Sequence, residues 1–261
     1  MKKQRRAFLQ QSAAATLGFF IVPRFVIGGN GYTAPSDMIN LGFLGTGKQA
    51  RGLLNSFKDK ANIIAGSDVD LNKLHYFHSL ASKYYTQART EGNISNYKGF
   101  TAYDDYREII ARKDIDAVVI ATPDHWHAKM SIEAANAGKH VYCEKPLAHS
   151  VEEGRAMVNA ARKNKIVFQT GSMQRSWKNF HHACELVRNG YLGKISEVIV
   201  TVGDSPWACD LPAQPVRPGV NWDQWVGPAP FHDFNAILSP DRKSTRLNSS
   251  HEWISRMPSS A

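Results

Sequence analysis

Cysteine is scarce in this sequence, and so are long apolar runs. The chain holds three cysteines, Cys143, Cys184 and Cys209. Because their number is odd and their spacing is not that of a metal site, they argue against a disulfide framework and against a metal centre. The mild apolar stretch at residues 12–22 is too short to span a bilayer comfortably.

Acidic residues are absent from the first 29 positions, which hold five basic residues. The last 21 positions hold four basic and two acidic residues, so only about +2 of the formal charge of +9 belongs to residues 30–240. A nearly neutral body does not attract polyanions, and we expect no nucleic-acid partner. The apolar content of 43% suits a globular protein, and 261 residues leave room for one large domain or one and a half.

A glycine turn organises the first part of the chain. Residues 39–44 form a short apolar run typical of a buried strand, and apolar residues at helical spacing follow from Leu53. Between them lie Gly45, Gly47 and Ala50 at G-x-G-x-x-A spacing. A strand, a glycine turn and a helix start are the context in which this pattern indicates a dinucleotide site, although an ordinary turn between a strand and a helix fits the glycines alone.

Each small residue of the turn has a physical purpose. Gly45 permits the tight turn, Gly47 lets a pyrophosphate approach the backbone, and Ala50 lets helix and strand pack closely. The phosphates then lie on the helix N-terminus, where free N–H groups favour anions. The cofactor contacts expected here are Gly45, Thr46, Gly47, Lys48, Gln49 and Ala50.

A carboxylate follows the second predicted strand, residues 61–67. Asp68 lies 23 residues after Gly45, close to the position of a carboxylate that accepts hydrogen bonds from the adenosine ribose. It would repel a 2′-phosphate, so the sequence favours NAD over NADP, although Lys48 and Arg51 leave NADP open. Asp70 is a second candidate, with a helix start as its simpler explanation.

Further strands and helices alternate after residue 100. Strands are predicted at 116–121, 140–143 and 166–170, with helices at 128–137 and 151–164 between them. This pattern predicts an α/β fold with a doubly wound parallel sheet of the Rossmann type. Ligands of such sheets bind at the carboxyl ends of the strands, where Gly45, Asp68, Thr122 and Lys145 are all expected.

Longer motifs resemble those of a known family. Residues 121–127 read Ala-Thr-Pro-Asp-His-Trp-His, and residues 137–146 read Ala-Gly-Lys-His-Val-Tyr-Cys-Glu-Lys-Pro. With the glycine turn, they resemble the Gfo/Idh/MocA oxidoreductases, and residues 169–175 and 221–230 resemble an exported branch of that family. The resemblance implies NAD(P)-dependent hydride transfer to or from a secondary alcohol of a sugar or cyclitol.

The same resemblance implies a division of the chain. Residues 36–170 are expected to form the dinucleotide-binding domain. Residues 171–240 are expected to open an α+β domain for substrate binding and oligomerisation, with a mostly antiparallel sheet that includes a strand at 195–202. In this expectation the domain is incomplete, and the full-length protein is a homo-oligomer.

The resemblance also assigns roles to single residues. Lys145 matches the family's central lysine, which assists at the substrate oxygen and can also hold the nicotinamide ribose of the cofactor. Glu144 is expected to orient Lys145 or to meet the cofactor. Thr122, Pro123, Asp124 and His127 are expected on the cofactor side, although His127 could instead cap or pack against the following helix. Expected substrate contacts are His125, Trp126 and Arg175; Trp222 and Trp225 stack on a sugar or, more simply, pack in their loop.

The two ends carry separate expectations. Residues 4–10 read Gln-Arg-Arg-Ala-Phe-Leu-Gln and resemble the twin-arginine export motif, so residues 1–35 are interpreted as a signal and linker for that export machinery, which delivers folded proteins to the periplasm. Residues 241–251 resemble the translation of a common sequencing-library adapter, so residues 241–261 are interpreted as a non-native tail.

Two other functions stay open at this point. Some relatives in the family use bound NAD for a transient oxidation during glycoside cleavage, which would make the protein a hydrolase. A non-catalytic protein that binds a sugar or a nucleotide is the third alternative.

Overall fold

The computed structural model describes residues 37–90, 99–200 and 211–238, without the side chains of residues 88–90. The predicted export signal, most of the loop at 90–98, Trp207, Cys209 and the tail at 241–261 lie outside the described residues.

Six parallel strands form one sheet. They are β1 (Asn40–Leu44), β2 (Asn62–Ser67), β3 (Thr101–Tyr103), β4 (Ala117–Ile120), β5 (His140–Glu144) and β6 (Phe168–Gly171). Their order in the sheet is β3-β2-β1-β4-β5-β6, and each neighbouring pair is parallel. This order is that of a doubly wound α/β sheet, so the predicted Rossmann-type fold is confirmed.

Seven α-helices connect or follow these strands in the described part of the chain. They are α1 (Lys48–Phe57), α2 (Leu71–Thr90), α3 (Tyr106–Ala111), α4 (His127–Asn136), α5 (Val151–Lys163), α6 (Lys178–Arg188) and α7 (Trp222–Val226). Short 3₁₀ helices lie at Asp124–Trp126 and Met173–Ser176. None of the described helices is long and apolar enough to cross a membrane.

The sheet is buried on both faces, which explains its continuous apolar strands. Along β4, Val118 and Ile120 belong to one core cluster, whereas Val119 belongs to the cluster on the opposite face. Alternate residues of a strand point to opposite faces, so a strand buried on both faces reads as an unbroken β-branched run.

Helix termini follow their local chemistry. The Ser150 hydroxyl accepts a hydrogen bond from the backbone N–H of Glu153 and caps α5 (3.2 Å), and Asp105 caps α3 in the same way through Arg107 N–H (2.8 Å). Gly138 ends α4 with a φ of 75°, the left-handed conformation that favours glycine. The observed bounds differ from the predicted ones by at most two residues, as fraying ends do.

The topology brings the predicted site positions to one edge. β1 lies in the middle of the sheet between β2 and β4. The chain reverses its direction of growth across the sheet between β1 and β4, which is the crevice where ligands of such folds bind. The turns after β1, β2, β4 and β5 all open onto this edge.

The region after β6 differs from its prediction. Residues 172–200 are exposed almost throughout, and residues 195–200 form no strand, so the part of the predicted strand at 195–202 that the structure describes is wrong. Within the described residues these positions have no neighbouring strand to hydrogen-bond with, and a strand needs such a partner.

Residues 211–238 pack against the sheet domain. Trp222, Trp225, Val226 and Phe234 make a small apolar cluster. A single antiparallel bridge joins Val220 to Asp70. α7 lies in a segment predicted to be a loop, and it contributes three of the four buried residues of this cluster.

Candidate functional site

Gly45 makes the turn after β1, where both its backbone conformation and its close contact with the chain after β4 require glycine. Its φ is 84°, and a Cβ at this position would lie 2.8 Å from the carbonyl oxygen of Ala121. Its N–H donates to the carbonyl of Ser67 at 2.8 Å. Only glycine can therefore join β1 to α1 here while β2 and β4 remain alongside.

Gly47 has a different reason to be glycine. It is the N-cap of α1, its φ is −67°, and no side chain caps the helix. A Cβ on Gly47 would meet no protein atom within 4 Å. The space beside its backbone is therefore open at the N-terminus of a ten-residue helix, where N–H groups and the helix dipole favour an anion. Ala50 is fully buried against the sheet, as predicted.

Asp68 lies at the end of β2 and holds the glycine turn. One carboxylate oxygen accepts hydrogen bonds from Thr46 N–H (2.8 Å) and Thr46 Oγ1 (3.0 Å), and the other accepts from Asp70 N–H (2.9 Å). Burial raises the pKa of Asp68 above its ordinary value, while Lys73 and these hydrogen bonds act in the opposite direction. The carboxylate is thus fixed beside the turn, where the sequence placed it.

Asp70 serves the helix start, which was the simpler of its two explanations. Its carboxylate accepts from the N–H groups of Asn72 (3.1 Å) and Lys73 (3.4 Å) at the beginning of α2. Arg217 also contacts it, with Nη2 3.4 Å from Oδ2. Nζ of Lys73 lies at the same distance from Oδ2 of Asp70. A second carboxylate and two cations therefore lie beside Asp68 at the end of β2.

Lys48 and Arg51, which left NADP open, line a groove of about 570 Å³ between α1 and α2. The Arg51 guanidinium lies over the ring of Tyr76, 5.2 Å from its centroid. The groove runs along the two helices and shares only Lys48 with the strand-end turns. It therefore lies beside the site and does not contain Asp68 or Lys145.

Glu144 connects the glycine turn to the end of β5. It is buried, and its Oε1 accepts from Gln49 Nε2 (2.9 Å) and from the hydroxyl of Tyr142 (3.2 Å). Its Oε2 lies 3.3 Å from the N–H of Lys145. A Cβ on Gly171 would lie 2.9 Å from the Glu144 carboxyl group, so β6 also fits closely around it. Glu144 positions the backbone that carries Lys145.

Lys145 follows Glu144 directly, and its side chain is exposed at the carboxyl edge of the sheet. The peptide bond between Lys145 and Pro146 is cis. Lys145 thus lies at a strand end beside the crevice, as predicted from the sequence. Its catalytic role stays a prediction.

His127 joins the turns after β4 and β5. Its ring is fully buried, with Nδ1 2.6 Å from the carbonyl of Pro146 and Nε2 3.0 Å from the carbonyl of Thr122. Burial lowers the pKa of His127, although both carbonyl contacts act in the opposite direction. In this structure the histidine links protein groups, which favours the packing alternative, and contact with a cofactor stays a prediction.

Asp124 is almost completely buried in the turn after β4, whereas Thr122 and Pro123 are half-buried. Its Oδ1 accepts from His125 N–H (3.1 Å) and lies 3.3 Å from Nε2 of His149. Its Oδ2 has no hydrogen-bond partner among the described residues. No local sequence pattern points to His149, because its contact with Asp124 joins two separate turns.

His125 and Trp126, predicted to reach substrate, are buried against α7. Nε2 of His125 lies 2.9 Å from the carbonyl of Trp225, and Nε1–H of Trp126 donates to the same oxygen at 3.1 Å. Burial lowers the pKa of His125. In this structure both side chains contact the protein itself, through the carbonyl of Trp225. Contact with a substrate stays a prediction.

The remaining predicted substrate contacts differ in exposure: Arg175 is exposed, whereas Trp222 and Trp225 are buried. Arg175 is exposed on the 3₁₀ helix after β6, near the sheet's edge strand. Trp222 and Trp225 stack on each other with ring centroids 4.4 Å apart and are both 6% exposed. They pack in the core of their own segment, which was the simpler explanation.

These features fit a dinucleotide. The open backbone at Gly47 and the uncapped N-terminus of α1 suit a pyrophosphate, and the Asp68 carboxylate suits ribose hydroxyls. Within residues 37–90, 99–200 and 211–238, no three His, Cys, Asp or Glu side chains lie together as metal ligands would.

Comparison with known proteins points the same way. The sequence model of the family GFO_IDH_MocA matches residues 39–172. This family is described as an oxidoreductase family with an NAD-binding Rossmann fold. These residues include all six strands of the sheet.

Three curated relatives illustrate the range of the similarity. Levoglucosan dehydrogenase of Pseudarthrobacter phenanthrenivorans is 43% identical over 91 residues, covering 35% of this chain and 23% of the relative. Myo-inositol 2-dehydrogenase of Thermotoga maritima is 34% identical over 103 residues, covering 40% and 31%. A glycosyl hydrolase family 109 protein of Shewanella baltica is 28% identical over 211 residues, covering 73% and 44%.

Among solved structures, a probable dehydrogenase from Thermotoga maritima has a TM-score of 0.50 and 28% sequence identity, covering 60% of this chain and 42% of that chain. In each of these comparisons the aligned part spans less than half of the matched protein.

Proposed function

Because this chain belongs to the Gfo/Idh/MocA oxidoreductase family, with its NAD-binding Rossmann fold, we propose that the complete protein is an NAD(P)-dependent dehydrogenase of a sugar or cyclitol. The reaction is hydride transfer from the carbon of a secondary alcohol to NAD(P)⁺ with release of the hydroxyl proton, or the reverse transfer from NAD(P)H to the corresponding ketone with uptake of a proton. The observation that carries the proposal is the exposed Lys145 at the carboxyl edge of the sheet, on a backbone held by buried Glu144.

Different residues of the chain bind the cofactor and act on the substrate in this proposal. The N-terminus of α1 and the Gly47 backbone hold the pyrophosphate, and Asp68 accepts hydrogen bonds from the ribose hydroxyls. Bound NAD(P) supplies the hydride acceptor or donor. The Lys145 ammonium hydrogen-bonds to the substrate oxygen and stabilises the negative charge that develops on it.

NAD is the favoured form of the cofactor. Asp68 and Asp70 place two carboxylates at the ribose end of the crevice, where a 2′-phosphate would be repelled. Lys73 and Arg217 lie at the same end and would attract such a phosphate once a carboxylate is removed.

The test is Lys145→Ala in the complete protein, with Lys163→Ala as the control. Both lysines are exposed, but Lys163 lies at the end of α5. We expect Lys145→Ala to lower kcat for sugar or cyclitol oxidation by roughly 100-fold, as loss of an acid–base group commonly does. Lys163→Ala should retain activity. Equal turnover of both variants would remove Lys145 from the mechanism.

A second candidate is glycoside hydrolysis, favoured by the match to the glycosyl hydrolase family 109 protein over 73% of the chain. The two activities differ in their use of NAD. A dehydrogenase converts added NAD in proportion to product, whereas a hydrolase of this kind recycles its bound NAD and releases free sugar from a glycoside.

Two further proposals concern the protein in its cell. The Arg5–Arg6 pair supports export by the twin-arginine route to the periplasm, since that route accepts folded proteins that already hold a cofactor. The exposed apolar residues of the region after β6, such as Trp177, Phe180 and Tyr191, support a further domain and a homo-oligomer in the complete protein.

A further inference from the structure

Residues 217–227, named here the strap, attach to the turn after β2. The N–H of Leu71 donates to the carbonyl of Gly219, and the N–H of Asn221 donates to the carbonyl of Val69, both at 2.9 Å. These two hydrogen bonds flank the antiparallel bridge between Asp70 and Val220. The first attachment is therefore a short piece of paired backbone immediately beyond Asp68.

The strap attaches a second time at the turn after β4. The carbonyl of Trp225 contacts both His125 Nε2 and Trp126 Nε1, at 2.9 and 3.1 Å. Gly227 lies directly against the Trp126 indole, because a Cβ at this glycine would be 2.1 Å from the ring. The strap is thus fixed at this end by hydrogen bonds and by close packing.

The order of the strands determines what lies between the two attachments. β2 and β4 are the two neighbours of β1, so the strap spans the carboxyl end of β1 and the glycine turn. β2 and β4 are separated by two strand spacings, about 10 Å. The seven residues from Gly219 to Trp225 are long enough to cross that distance.

We propose that the strap is the outer wall of the dinucleotide site and slows the release of bound NAD(P). Neither the glycine turn nor the motifs at residues 121–127 and 137–146 include it, and it lies beyond the family match at residues 39–172. The inference rests on dinucleotide binding by the sheet domain and is independent of the substrate.

Charge supports this position at the adenosine end. Nη2 of Arg217 lies 3.4 Å from Oδ2 of Asp70, whose N–H donates to Oδ1 of Asp68 at 2.9 Å. The carboxylate that accepts the ribose hydroxyls is therefore connected to the strap through one residue. Movement of the strap and loss of the adenosine contacts are coupled.

The first experiment measures NADH release from the full chain by stopped-flow fluorescence, using excess NAD as the competitor. Trp126→Phe removes the N–H that Trp225 accepts, and Arg217→Gln removes the contact with Asp70. Each should accelerate release by roughly threefold to tenfold, the effect of one lost hydrogen bond. The controls, Trp177→Phe and Arg188→Gln, change exposed residues around α6 and should not alter the rate.

Release rates in both strap variants that equal those of the controls would overturn the proposal. A second measurement avoids any dependence on folding differences between variants. Asp70 and Val220 lie opposite each other between two widely spaced hydrogen bonds, where antiparallel Cα atoms are about 4.5 Å apart, within the range of a disulfide. Asp70→Cys with Val220→Cys, in a chain with Cys184→Ser and Cys209→Ser, therefore allows the strap to be locked.

This variant serves as its own control. Diamide oxidises the two thiols to a disulfide, and dithiothreitol reduces the bond again. We expect the oxidised form to release NADH at least about tenfold more slowly than the reduced form. Identical release rates from the two forms, with the crosslink verified by mass spectrometry, would show that the strap does not cover the dinucleotide.

Discussion

Gln49 Nε2 donates a 2.9 Å hydrogen bond to Oε1 of Glu144, which joins the first turn of α1 to the end of β5. The glycine turn is the proposed phosphate site, and the residue after Glu144 is Lys145, the proposed catalytic lysine. One buried carboxylate therefore fixes the glycine turn relative to the backbone that carries Lys145.

The space around Glu144 gives the first prediction. A Cβ on Gly171 would lie 2.9 Å from the Glu144 carboxyl and 3.0 Å from its Cα, so Gly171→Ala must displace it. We expect the free energy of unfolding to fall by about 1–3 kcal/mol, as in other overpacked sites, and NAD affinity to fall with it. Chemical denaturation and an NAD titration measure the two effects.

Gly154→Ala is the matched control for this prediction. Gly154 lies within α5, and a Cβ there meets no atom within 4 Å. Alanine should stabilise this helix by about 0.5–1 kcal/mol and leave NAD affinity unchanged. Equal behaviour of the two alanine variants would mean that Gly171 does not constrain Glu144.

Alanine substitutions of the two glycines of the turn should distinguish an effect on stability from an effect on NAD binding. Gly45→Ala places a Cβ 2.8 Å from a backbone oxygen at a φ of 84°, so it should destabilise the fold. Gly47→Ala meets no protein atom and should leave the melting temperature nearly unchanged. It should nevertheless weaken NAD binding by about tenfold or more, because the methyl group occupies the approach of the pyrophosphate. Calorimetric titration beside thermal unfolding distinguishes the cases, and full NAD affinity in Gly47→Ala would place the phosphates elsewhere.

Asp68→Ala should weaken NAD binding and shift preference toward NADP. The loss of a charged hydrogen-bond acceptor corresponds to about a tenfold rise in the Kd for NAD. The nearby cations Lys73 and Arg217 should then favour the 2′-phosphate. Titrations with both dinucleotides measure the ratio, with exposed Asp104→Ala as the control. An unchanged NAD affinity would remove Asp68 from the site.

His125 should make stability depend on pH. Burial lowers its pKa in the folded protein below the ordinary 6.5, so the unfolded chain binds more protons as the pH falls through that value. The free energy of unfolding should therefore decrease between pH 7.5 and 5, by up to about 1.4 kcal/mol per pH unit from this group.

His125→Phe removes this contribution, so its unfolding free energy should change less steeply over the same interval. Urea denaturation at several pH values measures the slopes. His182→Phe, which changes an exposed histidine of α6, should keep the steep dependence. Parallel slopes for the wild type and His125→Phe would show that His125 titrates equally in both states.

Export gives a prediction at the other end of the chain. Arg5→Lys with Arg6→Lys should keep the protein in the cytoplasm, because paired guanidinium groups are what the export receptor reads. Lys2→Arg with Lys3→Arg keeps the charge and the motif, and should leave export intact. Cell fractionation and immunoblotting measure the distribution, and a periplasmic pool of the first variant would contradict the proposed route.

The sheet could be predicted from the sequence because its signals are local. β-branched runs such as residues 117–120 are buried on both faces, and Gly45 and Gly138 mark turns that require a positive φ. The order of these signals along the chain is enough to predict a doubly wound sheet. β3 was missed because it has three residues and two of them are exposed.

Contacts between distant segments could not be predicted in this way. Nothing in the local sequence indicates that His125 and Trp126 lie against α7, because their partner Trp225 is 100 and 99 positions away. The link between Asp124 and His149 is hidden for the same reason. Residue type and spacing identified which residues gather at the edge of the sheet, but not which of them contact one another.

The central position of β1 has a consequence for synthesis on the ribosome. Among the described strands β1 is the first to emerge, yet one of its two neighbours, β4, ends only at Ile120. A nascent chain that has released residues up to Ser67 can pair β1 with β2, but the opposite edge of β1 remains without a hydrogen-bonding partner. About 50 further residues must be translated before that edge is closed, several seconds at ordinary elongation rates. During that interval a central strand of the finished sheet is an edge strand.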